Sequence, residues 1–139
     1  MDEENLFPLY EYLHLSAGDT TRNGAISLEI GGWGRVDLGD RSFDHREDGD
    51  IQYGFLSYRA NRNNFRVDAG RQWVVEGVAT ERIDGLSLHS DLAAGFTAAA
   101  FVGSPVVTQP NFNDGDLIYG ARLAHSVPKY YTVGISALR

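Results

Sequence analysis

The sequence predicts an all-β chain: an antiparallel, up-and-down meander of about eight strands that forms a β-barrel or a segment of a larger barrel. Three observations predict it. Apolar residues recur at every second position in run after run. A strand sends successive side chains to opposite faces, so each such run has one apolar and one mixed face. The runs are about nine to thirteen residues long, against a mode of about five to six in soluble domains. Short and longer links alternate between them, and no window carries a helical period.

The runs lie near 9–17, 25–38, 50–60, 64–76, 83–92, 95–103, 116–126 and 130–139, within a single domain whose residues 1–8 form a disordered leader. In the second, Ala25-Ile26-Ser27-Leu28-Glu29-Ile30 is apolar at even positions. Its Gly31-Gly32-Trp33-Gly34 reads as a bulge or bend inside a strand. In the fourth, Asn64-Phe65-Arg66-Val67-Asp68-Ala69 repeats the pattern with charges on the second face. The sixth carries Phe96, Ala98, Ala100 and Val102 in phase. The seventh alternates Leu117, Tyr119, Ala121 and Leu123 with Ile118, Gly120, Arg122 and Ala124. The eighth sets Tyr131, Val133, Ile135 and Ala137 against Thr132, Gly134, Ser136 and Leu138.

The links follow in order. Thr21-Arg22-Asn23-Gly24 is short, and Asn-Gly suits a type I′ turn. Gly39 to Gly49 is long and charged; Asn61-Arg62-Asn63 is short; Gly77 to Arg82 is intermediate; Ala93-Ala94 is very short. Ser104 to Gly115 is long, with Pro105 and Pro110, and Val127-Pro128-Lys129 is short.

Composition narrows the function classes. The 139 residues can bury a core. No cysteine is present, so disulfides and thiolate metal sites are excluded. A net charge of −7 argues against nucleic acid, which needs a basic surface. Lys129 is the only lysine; every other basic residue is arginine, through lineage bias or because fixed ion pairs favour a planar guanidinium. No run of 18 apolar residues exists, so a transmembrane helix is not expected. Met1-Asp2-Glu3-Glu4 is not a secretory signal, so an exported protein would need its signal outside this sequence.

Strand length fits a tilted bilayer crossing of about nine to eleven residues. Alternating tight turns and long loops fit an outer-membrane barrel. Tyr10, Tyr12, Trp33, Tyr53, Tyr58, Trp73, Tyr130 and Tyr131 gather toward strand ends. Membrane-interface girdles place aromatics there, and ordinary strand propensity also enriches them. With the short turns on the periplasmic side, the first strand needs an upstream partner, and Leu138-Arg139 still sits in a strand pattern. The expectation is a piece of a longer barrel.

Gln52 to Arg59, Phe65 to Gln72 with its Gly70-Arg71-Gln72, Asp84-Gly85-Leu86, and Phe101-Val102-Gly103-Ser104-Pro105 carry a resemblance over residues 9–139. The chain resembles Gram-negative outer-membrane porin-like proteins, including the alginate-export-type barrels. The resemblance implies a large monomeric barrel in the bacterial outer membrane with a polar, arginine-lined lumen. This chain is far shorter than that family's members.

Candidate lumen residues are Arg59, Arg66, Asp68, Arg71, Gln72, Asp84 and Arg122, with Glu76, Glu81 and Arg82 nearby. A charge facing lipid at mid-depth costs about 2–4 kcal/mol, so these should point inward or sit at the rims. One reading is a selectivity filter for a small anionic solute, with Arg59, Arg66, Arg71 and Arg122 as the attracting groups. The other is a salt-bridge network that fills a narrow barrel, since eight strands leave little interior space. Candidate membrane-interface aromatics are Tyr10, Trp33, Tyr58, Trp73 and Tyr130.

Asp48-Gly49-Asp50 and Asn113-Asp114-Gly115-Asp116 resemble calcium loops but lack the full ligand pattern and are good turns. His14, His45, His89 and His125 have no metal-type spacing, and His14 and His89 read as structural. No nucleophile motif surrounds Ser57 or Ser90. No enzyme activity, cofactor or metal is expected. The partner expected is outer-membrane lipid, or detergent in its place. The rival is a soluble β-barrel or sandwich that binds a small apolar ligand. Mixed faces rich in Gly, Ser, Thr and Ala favour the membrane reading, because a water-facing surface carries about 25–35 per cent charge.

Overall fold

The structure, a computed structural model, describes residues 8–19, 23–38, 47–106 and 116–139. Eight strands follow one another: β1 (Pro8–Gly18), β2 (Ala25–Asp37), β3 (Glu47–Ala60), β4 (Phe65–Glu76), β5 (Ala79–Asp91), β6 (Phe96–Pro105), β7 (Ile118–Val127) and β8 (Tyr131–Leu138). Single 3-10 turns at Arg62–Asn64 and Ala93–Gly95 are the only helical residues among those described. Spatial order equals chain order, and every neighbouring pair is antiparallel. The eight-stranded meander is therefore as the alternation predicts. β1 and β8 do not pair, so the sheet is not closed into a barrel.

Register sorts the side chains, because cross-strand partners share a face. The row Ala17, Leu28, Leu56, Ala69, Leu86, Val102 and Tyr119 is apolar through seven consecutive strands. The neighbouring row Ser27, Ser57, Asp68 and Ser87 points the other way and is polar. The sheet thus has an apolar and a polar face. The glycine run does hold a bulge: the register shifts between Gly31 and Gly32, where β3 carries Gln52 as its extra residue.

Three local expectations change. β5 begins at Ala79, four residues early, so the link after β4 is the tight pair Gly77-Val78. Glu81 and Arg82, read as loop because they are charged, are ladder residues opposite Val74 and Trp73. The alternation of short and longer links fails at this hairpin. In the first turn Gly24 has positive φ (73°), as an Asn-Gly turn requires of its glycine. Residues 1–7 of the leader, Thr21-Arg22, most of the long 39–49 and 104–115 links, His45 and Asn113–Gly115 lie outside the described residues.

The sheet splits in the middle. β3 and β4 pair only as far as Gly54↔Arg71. Beyond that point residues 47–53 of β3 stay with β2, while β4 pairs only with β5 out to Glu76↔Ala79. Gly70 and Gly85 face each other at the split, and Gly103 faces Gly85. Gly70 has φ of +129°, and a Cβ there would strike the carbonyl of Gly54. Glycine at this seam lets the backbones approach closely and lets the β4–β5 hairpin leave the plane of the sheet.

The hairpin folds onto the polar face of β6–β8. Val74, Ala79 and Ile83 pack with Phe101, and Ile118 borders them. Phe101 lies over Gly120, where a Cβ would meet its ring. Ile83 is the one large side chain fully removed from solvent among the described residues. At the tip, Ser136 Oγ of β8 accepts a hydrogen bond from the Val78 N–H (3.3 Å).

Candidate functional site

One row of partners crosses the polar face: Arg59↔Arg66, Arg66↔His89, His89↔Ala99, Ala99↔Arg122 and Arg122↔Ser136. Three arginines and a histidine, from four strands, therefore stand at one level. The sequence suggested the arginines; register aligns them and adds His89.

Each has a partner. Arg59 Nη2 donates to Asn64 Oδ1 (3.1 Å). Arg66 Nε lies 2.9 Å from the buried Asp68 carboxylate, and its guanidinium sits 6.0 Å from the centre of the Phe55 ring. Gln72, also buried, donates to the Asp68 carbonyl (3.1 Å) and accepts from Ser87 Oγ (2.9 Å). Arg122 and His89 share one carboxylate from the folded hairpin. Glu76 Oε2 is 3.5 Å from Arg122 Nη1, and Glu76 Oε1 is 3.7 Å from His89 Nδ1. Asp91 stands 3.4 Å from His89 Nε2.

Between this row, β2–β3 and the hairpin lies a groove of about 820 Å³. Ser27, Glu29, Tyr53, Ser57, Arg59, Arg66 and Asp68 line one side, and Trp73 through Glu76 the other. Tyr53 covers Gly31, where a Cβ would enter its ring, and its hydroxyl is hydrogen-bonded to His14 Nδ1 (2.7 Å). Ser16 donates to Glu29 Oε1 (2.8 Å). His14, Ser16 and Glu29 thereby extend the polar face to the β1 edge.

Arg71 and Asp84 lie elsewhere. Register puts them, with Arg82, on the opposite face of β4–β5. Arg71 grips Asp84 through two bonds (2.8 and 2.9 Å) and donates to the Ile51 carbonyl (3.2 Å). Arg82 donates to Asp50 Oδ2 (2.7 Å). These four groups brace the base of the hairpin to the free half of β3. They do not share the row of Arg59, Arg66 and Arg122. Asp50, read as part of a calcium-like loop, is thus committed to an arginine, and no cluster of metal-ligating side chains occurs among the described residues.

The aromatics divide. Tyr58 and Tyr131 are on the apolar face near the short turns, and Tyr130 is exposed in the turn before β8. Phe96, His125 and Tyr131 cluster there, with His125 hydrogen-bonded to the Ala94 carbonyl (3.0 Å) and to the Tyr131 hydroxyl (3.2 Å). Tyr10 and Trp33 share a face with Arg35 and Tyr12 by register, which is the polar face. Trp73 is carried into the groove by the hairpin. Glu76 was legible as a charge near the candidate cluster and Asp50 as part of an acidic loop, but only the fold of the hairpin gives them their partners.

The chain matches no known family model, no curated protein and no solved structure.

Proposed function

We propose that this chain is part of the wall of a bacterial outer-membrane β-barrel, with its apolar face to lipid and its polar face to a lumen that passes small anionic solutes. The observation that carries this reading is the sorting of side chains. Among the described residues twenty-seven large hydrophobic side chains are exposed, while the buried apolar set is six residues, three of them alanine. Buried polar groups (Ser27, Ser57, Asp68, Gln72) sit on the other face. A water-soluble barrel inverts this arrangement. The inserted hairpin adds a constraint. An eight-stranded lumen is filled by its own side chains, so a barrel with this hairpin inside needs more than eight strands, and copies of the chain joined at their open β1 and β8 edges would supply them in the bilayer.

Sedimentation with and without detergent micelles, followed by conductance in planar bilayers, tests the reading. The expected outcome is a β-rich, monodisperse species only in micelles, and step conductance in bilayers. A monodisperse β-rich species in plain buffer would overturn it.

A further inference from the structure

We infer that Glu76, delivered by the folded β4–β5 hairpin, is the residue that sets the charge preference of the lumen. The inference rests on the reading of the polar face as a lumen wall and goes further, since it assigns the selectivity to one carboxylate that the hairpin brings from outside the row.

The row carries Arg59, Arg66, His89 and Arg122, with Ala99 between the last two. Three carboxylates stand against it: Asp68, Asp91 beside His89, and Glu76. Asp68 belongs to β4 itself, two residues from Arg66 on the same face, and is buried against it. Glu76 comes from the tip of the β4–β5 hairpin, beyond the last pair between β3 and β4, and its two oxygens face Arg122 and His89. Without the fold at Gly70 and Gly85, Glu76 would stand well away from both side chains. Its side chain is 23 % exposed and that of Arg122 35 %. Glu76 and His89 line the groove, with Arg122 behind Glu76, so ions in the groove meet the carboxylate first.

The hairpin is a fixed constriction rather than a swinging one. Val74, Ala79 and Ile83 hold it to Phe101, and Arg82–Asp50 and Arg71–Asp84 hold its base. The Glu76 contacts, at 3.5 and 3.7 Å, are longer than those at the base, at 2.7 and 2.8 Å. Removing the charge of Glu76 should leave the hairpin in place and deprive the Arg122 guanidinium of this carboxylate. Charged side chains at a constriction govern ion selectivity, and here one substitution changes the local sum by a full unit.

The test is the reversal potential of the full chain in planar bilayers under a KCl gradient, for wild type, Glu76→Gln and Arg122→Gln. Far-UV circular dichroism in micelles checks that all three fold alike. Glu76→Gln should raise the chloride-over-potassium permeability ratio by about threefold, and Arg122→Gln should lower it comparably. A conducting wild type whose ratio is unchanged in both folded variants would overturn the assignment of Glu76 and leave the lumen reading standing. A folded wild type that never conducts would overturn the lumen reading itself, and this inference with it.

Discussion

Lys129, the chain's single lysine, has φ of +70° in the turn between β7 and β8, where the Tyr130 N–H donates to the Val127 carbonyl (3.0 Å). Pro128 at the second turn position and a positive φ at the third are the requirements of a type II turn, whose third position favours glycine. A left-handed L-residue costs roughly 1–2 kcal/mol, partly offset in glycine by the greater entropy of its unfolded chain. Lys129→Gly is therefore expected to stabilise the protein by about 0.5 kcal/mol, read as a higher urea midpoint in micelles. The sequence placed a turn here but does not say which residue must take the strained conformation. Single residues elsewhere were partly legible. Arg59, Arg66 and Arg122 were read as sharing the mixed face, and register sets them in one row there. Arg71 and Asp84 were grouped with them by proximity in sequence, yet parity sends them to the opposite side.

At the scale of the element, the β4–β5 hairpin is the feature that departs most from a plain meander. Its departure depends on Gly70, Gly85 and Gly103 standing in one row. A Cβ at Gly85 would strike the Val102 carbonyl and come within 2.5 Å of Gly103 Cα, both backbone and unable to swing aside. Gly85→Ala is expected to lower stability by about 1–3 kcal/mol, as overpacking does, and to broaden the urea transition followed by fluorescence of Trp73. An unchanged midpoint would mean that the seam has slack and does not direct the fold. The hairpin was hidden in the sequence because Thr80-Glu81-Arg82 looks like a charged loop. It is strand because Ala79 and Ile83, alternating with Thr80 and Arg82, enter the core beside Phe101, while Glu81 shares their face and stays exposed.

For the whole molecule the decisive quantity is which solvent the apolar face meets. Ala121 stands exposed on that face, between Ala100 and Ala137 in the register. If the face meets lipid, Ala121→Arg near mid-depth costs about 2–4 kcal/mol, falling toward the interfaces. If it meets water, such a surface change stays within about 0.5 kcal/mol. The expected outcome is a large drop in the fraction folded into phospholipid vesicles, measured by protease protection. Equal protection of wild type and variant would place this face in water. The two open edges belong to the same scale. β1 is exposed along all eleven residues, and both edges present unpaired backbone groups, a liability that closed barrels remove.

The sequence by itself determined the meander, the eight strands and most of their limits, because alternation, turn residues and strand length are local and each strand pairs with its neighbour in the chain. It also determined which side chains share a face within a strand, since that follows from a period of two. Only the tertiary structure decided that β3 and β4 part company, that the β4–β5 hairpin folds inward at its glycines, and that Glu76 comes to rest beside Arg122 and His89. These depend on how rows in different strands align and on where the backbone can bend, and alternation within one strand holds no information on either.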